Sequence, residues 1–221
     1  MSQPGNGPID RLVELPLDKV KLAGNLVVSQ GAAGIVVFAH GSGSSRFSPR
    51  NQRVAKILRE TGLATLLLDL LTPEEEAIDQ RTAQLRFDIH LLAVRIVAVT
   101  RWLKENPETG KLKVGYFGSS TGGGAALVAA AEIPEHVHAV VSRGGRPDLA
   151  DQALPQVKAP TLLIVGGDDE AVIGMNQRAM QRMQSDTKLE IIPGASHLFE
   201  EPGALDRVAE LARQWFTCYL G

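Results

Sequence analysis

Two periodicities share this chain. Runs that are apolar at nearly every position occupy 35–39, 64–70, 112–117, 137–142, 161–165 and 189–192, and stretches with helical spacing occupy 50–60, 81–104, 121–131, 172–183 and 204–220. A run without polar alternation suits a strand covered on both faces, as parallel strands are. The regular exchange of the two kinds of segment predicts an α/β fold: a doubly wound, mostly parallel sheet with helices on both sides. Residues 12–29 depart from this scheme, because apolar and polar positions alternate there, interrupted by Gly24-Asn25. That alternation predicts an antiparallel hairpin leading the fold. Residues 72–80 are acidic and polar and predict a solvated loop or the start of a helix. With no repeat, no low-complexity linker and no insertion large enough for a lid, residues 1–221 are expected to form one domain.

Composition narrows the class of partner. At 221 residues and 44% hydrophobic content the chain can bury one large core. A net charge of −2 exerts no long-range pull on nucleic acid or acidic membranes, and neither a basic stripe nor a zinc-ligand spacing is present. Small molecules are the expected partners, with no metal and no cofactor. Residues 1–10 hold no basic segment leading into an apolar run, and no later apolar stretch reaches membrane-spanning length. A soluble, cytoplasmic protein is expected. The single cysteine, Cys218, excludes an internal disulfide, and its neighbours Trp215, Phe216 and Tyr219 predict a packed thiol.

The most specific chemistry lies where an apolar strand runs through Gly118-Ser119-Ser120-Thr121-Gly122 into an alanine-rich helix. This is the G-x-S-x-G pattern of a nucleophile elbow. Such a turn forces its central residue into strained backbone angles and tolerates only small residues two positions either side, where Gly118 and Gly122 stand. Ser120 is therefore the presented hydroxyl, and Ser119, facing away, is given no role. The helix N-terminus behind the turn offers free N–H groups and partial positive charge to a developing oxyanion. A phosphate-binding turn is the competing reading, but no lysine follows the glycines and no G-x-G-x-x-G precedes them.

In doubly wound sheets the working residues gather beyond the C-terminal strand ends. There the chain places Asp168 and Asp169 after the run ending Val165-Gly-Gly, and His197 after Ile192-Pro-Gly-Ala-Ser. The order Ser120, Asp169, His197 fits acyl transfer: the imidazole takes the serine proton, and the carboxylate orients the imidazole and stabilises its charged form. Asp169 is chosen over Asp168 because two glycines plus one residue bring the chain out of the strand toward the histidine loop. Asp168 is then solvated or capping. His40, His90, His136 and His138 fall in a turn, a helix and the far edge of a strand, and none is placed as a base. Small residues in His40-Gly-Ser-Gly-Ser-Ser-Arg46 let backbone approach a ligand, so the N–H groups of Ser42 and Thr121 are the expected oxyanion donors.

Arginines cluster at the same edge: Arg46 and Arg50 after the first central strand, Arg143 and Arg146 after another. Two readings stay open for them, a substrate anion gripped by the guanidinium fork or salt bridges to Asp148, Asp151 or Glu200. Phe47, Leu198 and Phe199 either line an acyl or alcohol pocket or belong to the core.

Across nearly its whole length the chain resembles an α/β-hydrolase of the dienelactone hydrolase-like group, through residues 40–51, 118–122, 166–169 and 194–197. The resemblance implies that group's fold and triad positions, Ser120, Asp169 and His197. Dienelactone hydrolases place cysteine at the elbow; the serine here points to ordinary carboxylic ester or lactone hydrolysis. Acyl transfer to an alcohol or peroxide by the same triad remains an alternative. So does a catalytically silent ligand-binding protein on the same scaffold.

Overall fold

Apolar runs line up side by side in the computed structural model, which describes residues 8–17 and 20–221. In chain order the elements are β1 (Ile9–Leu17), β2 (Val20–Val28), β3 (Gly34–Ala39), α1 (Pro49–Glu60), β4 (Ala64–Leu68), α2 (Pro73–Thr82), α3 (Ile89–Glu105), β5 (Lys113–Ser119), α4 (Thr121–Glu132), β6 (Val137–Arg143), β7 (Thr161–Gly166), α5 (Glu170–Arg182), β8 (Thr187–Ile192) and α6 (Ala204–Leu220). The eight strands form one sheet in the order β1-β2-β4-β3-β5-β6-β7-β8. β1 and β2 are antiparallel, β2 joins β4 antiparallel, and every later pairing is parallel. The chain steps outward from β3 to β4 and then returns to place β5 on the other side of β3. The crevice beyond the ends of β3 and β5 is thus the switch point where such sheets bind ligands.

Both faces of the sheet are covered, which explains why its central strands lack polar alternation. On one face α3 and α4 pack over Leu15, Leu26, Val37 and Tyr116. The buried Tyr116 hydroxyl meets the Thr100 hydroxyl at 2.7 Å, so its polar tip is satisfied inside the core. On the other face α1 and α6 pack over Phe38, Phe117, Val141 and Ile164. The Phe38 and Phe117 rings stand 5.0 Å apart in a tilted pair, and each ring buries roughly 1.5–3 kcal/mol of transfer energy.

Several expectations change in detail. Gly24 and Asn25 do not interrupt the hairpin; they lie inside β2, opposite Val13 and Leu12. A Cβ at residue 24 would stand 3.0 Å from Leu66 Cδ1, so the glycine makes room for β4. Asp18 and Lys19, within the expected hairpin, and residues 1–7, where a targeting segment was sought, lie outside the described residues. β4 stops at Leu68, because the Leu70 N–H is taken by His40 Nε2 at 3.0 Å. The expected helix over 81–104 is two helices. α2 begins at the capping box of Thr72 and Glu75 and ends at Ala83 in the left-handed region, while Asp88 caps α3. Between them the buried Asp79 carboxylate accepts the N–H groups of Leu85 and Arg86 and the Arg86 guanidinium. Cys218 is exposed rather than packed, since the buried stripe of α6 runs through Trp215, Phe216 and Leu220.

Candidate active site

The turn from β5 to α4 explains its own sequence. Ser120 adopts φ 50 and ψ −122, a region that costs a residue with a side chain roughly 1–3 kcal/mol. A Cβ on Gly118 would stand 2.5 Å from Gly123 Cα, and one on Gly122 would stand 2.3 Å from the Ala39 carbonyl oxygen. Both contacts are with backbone, so neither site can take a larger residue without moving a strand. The turn is held in place from β6: the Ser120 N–H donates to the Arg143 carbonyl at 3.3 Å, and the Arg146 N–H donates to the Ser120 carbonyl at 3.0 Å. Ser119 is buried, and its hydroxyl donates to Asn51 of α1 at 3.2 Å, tying the turn to the opposite face.

His197 and Asp169 meet across the ends of β7 and β8, with Nδ1 and Oδ2 2.7 Å apart. The carboxylate accepts from Nδ1–H, which leaves Nε2 as the free, basic nitrogen. His197 borders the same β6 exit as the serine. The Cβ position of Gly144, one residue past the carbonyl that anchors Ser120, is 3.5 Å from His197 Cε1. Asp168 is exposed.

On the β3 side the loop after Ala39 passes over the serine: the Cβ position of Gly41 is 3.0 Å from Ser120 Cβ. Ser42 Oγ and Thr121 Oγ1 lie 3.1 Å apart, a hydrogen bond that couples this loop to the first residue of α4. At that helical position no carbonyl lies four residues behind to accept the Thr121 N–H. His40, which begins the loop, is a structural residue. Its Nε2 accepts from Leu70 N–H and its Nδ1–H donates to the Gly41 carbonyl at 2.9 Å. Burial lowers its pKa and favours this neutral form. A cleft of about 670 Å³ opens beside the loop, walled by His40, Arg46, Phe47, Asp69 and Glu76. Its walls do not include Ser120 or His197, so it flanks the crevice rather than containing it.

The arginines divide. Arg46 is ion-paired to Asp69 and also donates to Asn25. Arg146 makes a two-pronged pair with Asp148, and Arg50 donates to Glu200 at 3.1 Å. Asp151 pairs with Arg182. Salt bridging therefore accounts for Arg46 and Arg146 and for part of Arg50. Arg143 differs: it is 7% exposed, and its Nε and Nη1 have no acceptor. Leaving a buried donor unmet costs about 1–3 kcal/mol. Burial, reinforced by the Arg50 charge, pushes its pKa down to about 10, which still leaves it cationic at neutral pH. Phe199, read either as pocket lining or as core, is 1% exposed and packs in the core under α6, with φ 56, and it also borders a cleft of about 320 Å³ with Arg50 and Glu200. Its ring faces the Arg143 guanidinium at 5.9 Å. Phe47 and Leu198 are exposed.

Among the described residues no group of three or more His, Cys, Asp or Glu is arranged to hold a metal ion, and no helix is long and apolar enough to cross a membrane.

A doubly wound sheet with a strained strand-to-helix turn at its switch point defines the α/β-hydrolase class. The chain matches the dienelactone hydrolase family over residues 22–217 and belongs to it. It is similar to a dienelactone hydrolase from Anabaena variabilis, whose crystal structure superposes with a TM-score of 0.95 at 66% identity, covering 97% of this chain and 99% of that one. Est1E from Butyrivibrio proteoclasticus shares the fold alone, with a TM-score of 0.78 at 17% identity over 93% of this chain and 97% of its own. Two proteins from strains of Mycobacterium tuberculosis, provisionally named phosphoribosyl transferases, are 56% identical over 211 residues. The match covers 96% of this chain and 47% of theirs, so the chain spans about half the length of these relatives.

Proposed function

We propose that this chain is a serine hydrolase cleaving a small carboxylic ester or lactone through an acyl-serine intermediate. The observation that carries the reading is the His197–Asp169 contact of 2.7 Å at the same β6 exit that anchors a serine held at φ 50. In this mechanism His197 Nε2 removes the Ser120 hydroxyl proton as Oγ attacks the ester carbonyl. The oxyanion is met by the N–H groups of Thr121 and Ser42, whose side-chain bond fixes the two donors relative to each other. The imidazolium then protonates the departing alkoxide, and water, activated by the same Nε2, releases the acid. Family membership supports the hydrolase class, while ester specificity is our inference from the serine. We further place the reaction in the cytoplasm, on a single domain acting on soluble small molecules. The mycobacterial relatives carry a transferase name, and this chain spans only about half their length.

The test is intact-mass analysis after treatment with a neutral fluorophosphonate probe. One adduct in the parent, absent from Ser120→Ala and His197→Ala, is the expected result. Ester turnover in those variants should fall on the order of 10⁴-fold or more. An unlabelled parent, or turnover that survives Ser120→Ala, would overturn the reading.

A further inference from the structure

The backbone that offers the Ser42 N–H is a β-turn. The Ser44 N–H closes it on the Gly41 carbonyl at 3.2 Å, and Gly43 bends it with φ 65. His40 donates to its first carbonyl, and Thr121 bonds the Ser42 side chain. Gly43, with no side chain, has neither kind of tie. Beyond the turn itself, the atom nearest its Cβ position is Arg86 Nη1 at 3.7 Å, an ordinary packing distance.

Arg86 comes to this place from the connection between α2 and α3, and Asp79 leaves it little freedom. The buried Asp79 carboxylate accepts from Nε and from the Arg86 backbone N–H, and the Asp79 carbonyl accepts from Nη2 at 2.9 Å. A guanidinium is planar, so with Nε and Nη2 bound the position of Nη1 is set as well. Nη1 itself has no acceptor among the described residues. Arg86, Ser42, Gly43 and Thr121 border one pocket of about 10 Å³. That is room for about one water and for no part of a substrate, so at this point the guanidinium meets the loop alone.

We propose that Arg86, locked by Asp79, is a positioning residue for the oxyanion hole: it props the Gly43 turn and so keeps the Ser42 N–H aimed at the developing charge. This rests on the serine hydrolase reading and adds to it a support drawn from a separate element. Donors fixed in advance act where charge develops, so loss of the prop falls on the chemical step and spares ground-state binding.

The test is hydrolysis of 4-nitrophenyl acetate by the parent, Arg86→Gln and Arg86→Lys, with active sites counted by fluorophosphonate titration so that kcat refers to folded enzyme. Arg86→Gln should lower kcat at least about ten-fold, short of the roughly 10²–10³ that follows loss of an oxyanion donor itself. KM should stay within about three-fold of the parent, and Arg86→Lys should recover part of kcat. Should Arg86→Gln fail to fold, Asp79→Asn decides: it keeps an oxygen for the Leu85 N–H but drops the charge that holds Nε, and it should show the same loss. An unchanged kcat, or a loss carried by KM alone, overturns the proposal. A second arm needs no turnover. Hydrogen exchange of the Ser44 N–H, followed by NMR, should quicken at least about ten-fold in Arg86→Gln as the turn opens more often; unchanged exchange also overturns it. If the parent neither labels nor cleaves ester, the hydrolase reading falls, while the exchange still decides whether Arg86 holds the turn.

Discussion

At the scale of single residues, the elbow glycines and His40 carry predictions of opposite kinds. A methyl group at Gly122 would stand 2.3 Å from the Ala39 carbonyl oxygen and 2.4 Å from that of His40. Gly122→Ala should therefore destabilise the fold by at least about 1–3 kcal/mol, the usual range for overpacking, measured as a shift in urea midpoint at constant slope. His40 acts through pH. Burial lowers its folded pKa from the ordinary 6.5, so the unfolded chain binds the proton more tightly. Its contribution to stability is complete above the unfolded value and is lost as pH falls toward the lowered folded one. Urea unfolding at about pH 7.5 and about pH 5.5 should show a loss of stability on acidification, and His40→Gln should reduce that loss. Site residues were legible in unequal measure. Ser120, Asp169 and His197 are announced by small residues at strand ends, whereas the state of each arginine depends on which carboxylates the fold delivers. Asp69 reaches Arg46 from just beyond the end of β4, and no spacing in the sequence announces it.

Among elements, the connection from β4 to α3 was the hardest to read. One continuous helical pattern suggested itself because 81–104 contains neither proline nor glycine. The break is made instead by a carboxylate. Asp79 captures the N–H groups of Leu85 and Arg86 that a continuing helix would have used. Burial alone would raise its pKa, yet the Arg86 and Leu85 donors hold it below the usual carboxylate value. Asp79→Ala should destabilise the protein by about 3 kcal/mol, the lower end for breaking a buried ion pair, because Arg86 keeps some contact with solvent. The same variant should slow ester turnover, since Arg86 Nη1 lies 3.7 Å from the Cβ position of Gly43 in the β3 loop. Retained stability and full activity together would show that α2 and its following turn are passive.

For the whole molecule, the sheet separates two cores, and energetic coupling should respect that wall. Phe38 and Phe117 face each other under α1 and α6, so Phe38→Leu and Phe117→Leu should be non-additive, with a coupling of about 0.5 kcal/mol or more. Leu15 lies in the other core, and Leu15→Ala combined with Phe117→Leu should be additive within about 0.5 kcal/mol. Double-mutant cycles in urea would distinguish the cases. The general architecture was readable because strands covered on both faces have no polar positions to disguise them. Strand order was not, since β4 and β5 are equally apolar and only the paths of α1, α2 and α3 decide which side of β3 each occupies.

The backbone at Ser120 also carries a consequence for descent. Glycine would accept φ 50 and ψ −122 freely, relieving roughly 1–3 kcal/mol of strain against the ~0.5–1 kcal/mol that its extra freedom in the unfolded chain takes away. A descendant that kept the fold but had no use for the hydroxyl would gain stability by drifting to glycine at this one position. On the hydrolase reading, disuse is therefore recorded first at the nucleophile, and relatives of this fold can be sorted into working and retired copies by a single letter.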